Sequence, residues 1–159
     1  MITVYVDASV QSGRPGGAGV VIVVGPPMVN APEVLSFAFP TSSTVAANDT
    51  EIMAFLYAAV ILRGVAGRIP GLTDTIVQFK SDSAAAISAV KNPRGVRNRQ
   101  TRALAKNVRQ ALDQLSVSRV ILGWHVKKIA RKSNLADKPA RSAREEFGSI
   151  FSWTPETAK

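Results

Sequence analysis

Four carboxylates occupy positions from which an α/β chain could bind a metal ion. Asp7 and Asp82 each end or follow a short β-rich run, whereas Glu51 and Asp137 stand near the starts of helix-like segments. If the two strands are adjacent and parallel, both aspartates emerge at the edge where open α/β sheets bind ligands. Clustered carboxylates repel one another unless a cation lies among them, and Mg²⁺ prefers carboxylate oxygens and water. The spacing therefore predicts a metal site.

Each acid taken alone also has an ordinary structural interpretation. The two strand-ending aspartates are typical of residues that start a turn or cap a helix. Glu51 fits a capping box with Asn48 as the N-cap. Asp137 lies four residues before Arg141, the spacing of a surface ion pair. Only the combination of the four positions favours chemistry.

Basic residues are concentrated in one part of the chain. The net charge is +9, yet residues 91–144 alone hold 15 basic and two acidic residues. Such a block indicates a polyanionic partner, most simply nucleic acid. A carboxylate cluster within a nucleic-acid-binding protein predicts metal-assisted phosphodiester hydrolysis. Helical spacing puts four of the basic residues on one face: Arg99, Arg102, Lys106 and Arg109.

Composition excludes several other functions. The 159 residues include no Cys and only one His, His125, so thiol nucleophiles and His-rich metal sites are absent. No apolar run reaches the roughly 18 residues of a membrane helix, and the N-terminus is typical of a strand rather than a signal peptide. We expect one domain over residues 1–159 with a C-terminal tail from about 149, a cytoplasmic location, no membrane partner and no small-molecule cofactor.

The hydrophobic pattern predicts the element order β-β-β-α-β-α-α-β-α. A hairpin unit followed by alternating strands and helices implies a mixed sheet with helices on its faces. Residues 26–32 are interpreted as a surface loop, and residues 147, 150, 151 and 153 as contacts that fix the tail. Strands are predicted over residues 2–7, 18–24, 33–39, 75–80 and 119–126, and helices over 48–63, 84–90, 98–115 and 134–147.

Four motifs in this order resemble the type 1 ribonuclease H family. Residues 4–9 (VYVDAS) and 16–22 (GGAGVVI) resemble its opening hairpin, and residues 48–54 (NDTEIMA) resemble its first-helix motif. Residues 79–83 (FKSDS) resemble its strand-ending Asp motif, and residues 133–141 (SNLADKPAR) its closing motif. Each motif alone is weak. Together they cover residues 1 to about 148.

The resemblance implies a five-stranded mixed sheet flanked by helices and a metal-dependent endoribonuclease. The implied reaction cleaves the RNA strand of an RNA–DNA hybrid, leaving 5′-phosphate and 3′-hydroxyl ends, and the protein is expected to be a monomer. Asp7, Glu51, Asp82 and Asp137 carry over as the catalytic ligands of two Mg²⁺ ions, for which Mn²⁺ is a substitute. The residues expected to contact nucleic acid are Ala8, Ser9, Asn48, Ser83, Arg94, Arg97, Arg99, Arg102, Lys106, Arg109, Arg131 and Lys132.

The sequence departs from the family pattern at three places. Ala8 replaces the usual Gly after the first Asp, and Ala47 replaces one of two usual Asn residues. The loop over residues 127–132 has no His, and Arg131 or Lys132 are the cations available there. Two alternatives therefore stay open beside the enzyme: a non-catalytic nucleic-acid-binding module of the same fold, and a related metal-dependent DNA nuclease.

Overall fold

A five-stranded mixed sheet forms the centre of the molecule in the computed structural model, which describes residues 1–11, 13–25, 33–42 and 45–151, with side chains to 146. The strand order is β3-β2-β1-β4-β5. The first three strands are antiparallel neighbours, whereas β4 and β5 run parallel to β1. The strands are β1 (Ile2–Ser9), β2 (Gly16–Val24), β3 (Glu33–Thr41), β4 (Ile76–Ser81) and β5 (Gly123–Lys128). This is the mixed sheet that the sequence predicted.

Helices cover both faces of the sheet. They are α1 (Ala47–Val65), α2 (Ala84–Lys91), α3 (Arg99–Val117) and α4 (Asp137–Phe151). Helix α1 packs against β1 and β2, and α3 against α1 and β5, whereas α4 packs against β1, β2 and β3. The core between α1 and the sheet is built from fully buried side chains such as Val4, Val6, Phe55 and Phe79.

Two glycines of β2 allow α4 to approach the sheet closely. A Cβ atom on Gly17 would collide with the carbonyl of Ala140, and one on Gly19 with the carbonyl of Ala136. The Gly-Ala-Gly strand is thus required by packing, and the packing brings the start of α4 to the end of β1.

Several predicted boundaries were wrong, and four of them concern the site or its neighbours. Strand β1 continues to Ser9, so Asp7 lies two residues before its end. Helix α1 begins at Ala47 with Ala46 as its N-cap and no capping side chain, so Asn48 lies inside the helix. Strand β5 begins at Gly123, because Arg119 leaves α3 in a left-handed conformation (φ 56°) and residues 119–122 form a turn. Helix α4 begins at Asp137 rather than at residue 134, because the Asn134 backbone is extended.

The segment Ala47–Arg68 is the one described helix long and apolar enough, by length and composition, to span a membrane. No such segment was expected from the sequence. Its buried residues, among them Ile52 and Leu62, pack in the core of the protein, as a core helix does. The predicted loop over residues 26–32 and the predicted tail contacts of residues 147, 150, 151 and 153 lie outside the described residues or side chains.

Candidate active site

Parallel pairing of β1 and β4 brings the first two carboxylates together. The register joins Thr3 to Gln78 and Tyr5 to Lys80. Continued by two residues, it places Asp7 opposite Asp82 at the C-terminal edge of both strands. Asp7 is buried, with 8% of its surface exposed, and its carboxylate accepts a hydrogen bond from the Ala8 backbone N–H at 2.9 Å.

Glu51 reaches the same edge from helix α1. Its Oε2 accepts a hydrogen bond of 2.5 Å from the Ser83 hydroxyl. Ser83 is also the N-cap of α2, and its Oγ accepts from the Ala86 N–H at 3.1 Å. Glu51 is therefore held by a side chain that follows β4 and does not complete a capping box. Ser83, which was expected to contact nucleic acid, donates its hydroxyl hydrogen bond to Glu51.

Asn134 positions Asp82 and was missed as a site residue. Its buried side-chain amide donates to Asp82 Oδ1 at 2.7 Å and to the Val6 carbonyl at 2.9 Å. One amide therefore ties Asp82 to the last part of β1. The motif over residues 133–141 contained this residue, but nothing in its type or spacing indicated its partners.

The three carboxylates of Asp7, Glu51 and Asp82 line one cleft of about 250 Å³. Asp137 does not line it, although its charge acts on Asp7, and it forms an ion pair with Arg141. Two cations line the cleft as well. Arg131 was anticipated as a substitute for the loop His, whereas Arg144 was missed, although it lies seven residues after Asp137 on one helix. The remaining lining residues are Ala8, Ser9, Val10 and Ala47.

The electrostatics of the cleft favour a bound cation. Burial raises the pKa of Asp7 to about 7, and the charge of Asp82 adds to this. The Ala8 N–H opposes the rise, and the charges of Asp137 and Glu51 contribute less. Burial also raises the pKa of Glu51, the Ser83 hydroxyl lowers it, and Asp82 raises it further. A cation among these groups would restore their ionised forms.

The donor set fits Mg²⁺ better than a metal that needs a closed protein cage. Within the described part of the chain, no three His, Asp or Glu side chains are close enough to hold one ion together. Mg²⁺ commonly binds through one or two carboxylates and completes its octahedron with water and substrate phosphate. Asp7, Asp82 and Glu51 offer oxygens of this kind on one side of an open cleft.

Of the other residues predicted to contact nucleic acid, some are exposed and others are hydrogen-bonded within the protein. Asn48 is exposed in the first turn of α1, next to Ala47, and Lys132 is exposed beside Arg131. In the basic segment, which we define as residues 94–109, Arg102 donates to the carbonyls of Val96 (2.7 Å) and Arg97 (3.2 Å). The exposed remainder of that segment comprises Arg94, Arg97, Arg99 and Lys106.

Arg109 is likewise engaged within the protein. It binds Asp113 and the Lys91 carbonyl, and its guanidinium lies 5.0 Å from the centre of the Trp124 ring. The predicted four-residue face of α3 therefore has two of its members tied to neighbouring structure. His125 lies in β5, as predicted, and its Nε2 accepts from the side-chain amide of Gln78 at 2.8 Å, far from the carboxylates in the sheet.

Several solved structures of ribonucleases H are similar to this chain. LC11-RNase H1, isolated from compost by a metagenomic approach, is 20% identical over 92% of this chain and 96% of its own, with a TM-score of 0.65. Its structure in complex with an RNA/DNA hybrid gives a TM-score of 0.64 at 20% identity, over 92% of this chain and 99% of its own. RNase H1 of the archaeon Halobacterium salinarum is 18% identical over 91% of this chain and 98% of its own, with a TM-score of 0.57.

The chain has the ribonuclease H-like fold, as the resemblance predicted. No family model matches the sequence, and no curated protein matches it. At these identities the likeness concerns the fold, so the chemistry must be argued from the side chains of the cleft.

Proposed function

We propose that this protein is a metal-dependent endoribonuclease that hydrolyses the RNA strand of RNA–DNA hybrids. One observation carries the proposal: carboxylates from three separate elements, β1, α1 and the end of β4, line a single cleft at the C-terminal edge of parallel strands. A similar fold binds an RNA/DNA hybrid in the LC11-RNase H1 complex. The concentrated positive charge of residues 91–144 supports a nucleic-acid substrate.

Asp7, Glu51 and Asp82, which line the cleft, would hold two Mg²⁺ ions together with Asp137, whose charge acts on Asp7 from beside the cleft. When bound, these ions lower the pKa of water and neutralise charge on the leaving oxygen. Asn134 and Ser83 fix the orientations of Asp82 and Glu51, so the ligands are arranged before substrate arrives. In the hydrolysis, the water oxygen bonds to phosphorus and the bond from phosphorus to the 3′ oxygen breaks. The 3′ oxygen takes up a proton, which leaves a 5′-phosphate.

Arg131 and Arg144 place positive charge in the same cleft. A guanidinium binds phosphate through parallel N–H donors and stays charged at every relevant pH, so neither arginine replaces a His as a base. Their role in the proposal is to hold the scissile phosphate against the carboxylates. The basic residues of the segment 94–109 that remain exposed would contact the hybrid's backbone.

The test is cleavage of an end-labelled RNA–DNA hybrid in Mg²⁺, with RNA duplex and DNA duplex as controls. Wild type should cut only the RNA strand of the hybrid. The cleavage activity of Asp82→Asn should be more than about 100-fold lower than that of wild type. Loss of a hydrogen bond to a metal ligand alone lowers metal affinity or activity about 10–100-fold. Asp74→Asn is the matched control, because Asp74 is exposed before β4, at the opposite edge of the sheet.

The outcomes separate the three functions. Cutting of all-DNA duplexes would indicate a DNA nuclease. Tight hybrid binding without any cutting in Mg²⁺ or Mn²⁺ would indicate a binding module and overturn the proposal.

A further inference from the structure

Among the described helices, none packs closely on one face of the sheet at β4 and β5. Helix α4 packs against β1, β2 and β3, and the parallel strands β4 and β5 lie beyond it. In β4, Val77, Phe79 and Ser81 are buried, so side chains alternate and those of Gln78 and Lys80 lie on the opposite face.

The same alternation holds in β5. Trp124 donates a hydrogen bond to Asp113 of α3, and Val126 is buried, so both side chains face the helices. His125 and Lys127 therefore lie on the face without a helix, and both are exposed. A polar and basic surface thus continues across two strands.

The strand register aligns these side chains in rows. Tyr5 is paired with Lys80, and Lys80 with Lys127, so one row crosses three strands. The Lys80 ammonium lies 5.2 Å from the centre of the Tyr5 ring. We call Tyr5, Lys80 and Lys127 the open-face row.

The open-face row is positive and borders the carboxylate cleft. The ion pairs Arg109–Asp113, Arg141–Asp137 and Arg144–Glu145 involve neither lysine of the row. Tyr5 precedes Asp7 by two residues on the same face of β1, and Lys80 precedes Asp82 by two. A nucleic-acid strand that leaves the cleft over the edge formed by β1 and β4 would contact the open-face row directly.

We propose that the open-face row binds the phosphodiester backbone of a single strand that extends from the hybrid beyond the cleft. This inference rests on the proposed function for its substrate. Two lysines on neighbouring strands, about 4.8 Å apart, can contact successive phosphates. Positive charge beside an aromatic ring is typical of surfaces that bind single strands.

The position of the basic segment favours a single strand over a duplex. Helix α3 packs on the face of the sheet that carries Trp124, opposite to the open-face row. A duplex is stiff over about 150 base pairs, so one that lies along α3 cannot also bend around the sheet edge onto the other face. A flexible single strand can follow that path.

The first experiment measures binding of 20-nucleotide single-stranded DNA and RNA in EDTA by fluorescence anisotropy. Lys80→Gln/Lys127→Gln should bind roughly tenfold more weakly than wild type, and its salt slope should fall by about 1.4, which is 0.7 for each phosphate that is no longer neutralised. Arg63→Gln/Arg68→Gln removes the same charge from exposed residues near the end of α1 and should change binding little. Lys80→Arg/Lys127→Arg keeps the charge and should restore binding.

The second experiment compares blunt hybrids with hybrids that carry a 10-nucleotide single-stranded tail on either strand. Wild type should bind and cut one of the tailed substrates with a lower KM than the blunt one. Lys80→Gln/Lys127→Gln should lose this difference and keep the blunt-hybrid activity. The inference would be overturned if this double variant bound single strands as wild type does, or if Arg63→Gln/Arg68→Gln weakened binding to the same extent.

The two experiments separate this inference from the proposed function. Binding in EDTA requires no catalysis. Single-strand binding by the open-face row can therefore be measured even if the protein cleaves no substrate. Equal unfolding midpoints of the variants and wild type confirm that a loss of binding does not reflect a loss of folding.

Discussion

The carboxylate cleft and the basic segment both concentrate charge, but they differ in whether that charge is paired within the protein. In the cleft, like charges are brought together and partly buried, and the pKa of Asp7 rises to about 7 as a result. In the basic segment, Arg102 and Arg109 are each bound by carbonyls or a carboxylate of the protein itself. The first arrangement costs stability and leaves ligand oxygens available. The second stabilises the fold, and it leaves Arg102 and Arg109 less able to bind a ligand.

The two regions show how a concentration of charged residues should be interpreted. A carboxylate kept near other carboxylates without a balancing cation indicates a site for something positive. An arginine in a basic run indicates a binding surface only if its guanidinium has no internal acceptor. Four predictions test whether the two regions differ in this way.

The largest effect is expected for Asp7→Asn, which should lower hybrid cleavage more than 100-fold and yet stabilise the folded protein at high pH. Below pH 4 the Asp7 carboxyl is protonated in both states and costs nothing. Between pH 4 and 7 the unfolded chain releases this proton while the folded chain retains it, because the folded pKa is about 7 against 3.8. The wild-type free energy of unfolding should therefore fall over this range by about 2–4 kcal/mol relative to the variant.

Urea unfolding in EDTA at pH 4 and pH 8 measures this. The variant should match wild type at pH 4 and exceed it at pH 8, and Mg²⁺ should stabilise only wild type appreciably. Asp74→Asn is the control and should be neutral at both values of pH. Equal free energies of unfolding of wild type and Asp7→Asn at pH 8 would show that the ionised Asp7 carboxylate does not destabilise the folded protein.

Asn134→Ala should reduce kcat by about 10–100-fold with little change in KM. The amide orients Asp82 without contacting substrate, and loss of such outer hydrogen bonds has effects of this size. The Val6 carbonyl would also lose its buried donor, which costs about 1–3 kcal/mol of folding free energy. Asn107→Ala, at an exposed position of α3, is the matched control for both measurements.

Steady-state kinetics in Mg²⁺ and a Mg²⁺ titration of unfolding separate the two roles. A merely structural Asn134 would change stability and leave the Mg²⁺ concentration for half-maximal activity unaltered. We expect this concentration to rise.

Within the basic segment, Arg102→Gln and Arg99→Gln should have opposite profiles. Arg102 bonds two carbonyls of the preceding turn, so its loss should cost about 1–2 kcal/mol of stability. Arg99 is exposed at the start of α3, so its loss should leave stability unchanged and reduce the salt slope of hybrid binding by about 0.9. Thermal unfolding and binding from 50 to 200 mM salt measure both. Identical profiles would remove the distinction between structural and ligand-binding arginines.

Much of the fold and the positions of the acids could be predicted from the sequence. Strand alternation and turn residues placed Asp7 and Asp82 near the C-terminal ends of two strands. Their parallel pairing could only be assumed, because β2, β3 and α1 lie between β1 and β4 in the chain. The partners of Asn134 could not be predicted, because its contact with Val6 spans 128 residues and depends on the approach of α4 to Gly17 and Gly19. The bonds of Arg102 required the backbone geometry of the turn over residues 93–97, which residue types alone do not specify.

The smallest effect is expected for Ser83→Ala, and it concerns pH. The Ser83 hydroxyl lowers the pKa of Glu51 against the effect of burial, so its removal should raise that pKa further. The acid limb of the kcat/KM profile should therefore move to higher pH. Ser83 also caps α2, so stability should fall by about 1 kcal/mol. Asn98→Ala removes the equivalent N-cap of α3, where Asn98 accepts from the Thr101 N–H, and should cost similar stability without moving the pH profile. If both variants shift the profile equally, the shift reflects weakened folding and Ser83 has no specific effect on Glu51.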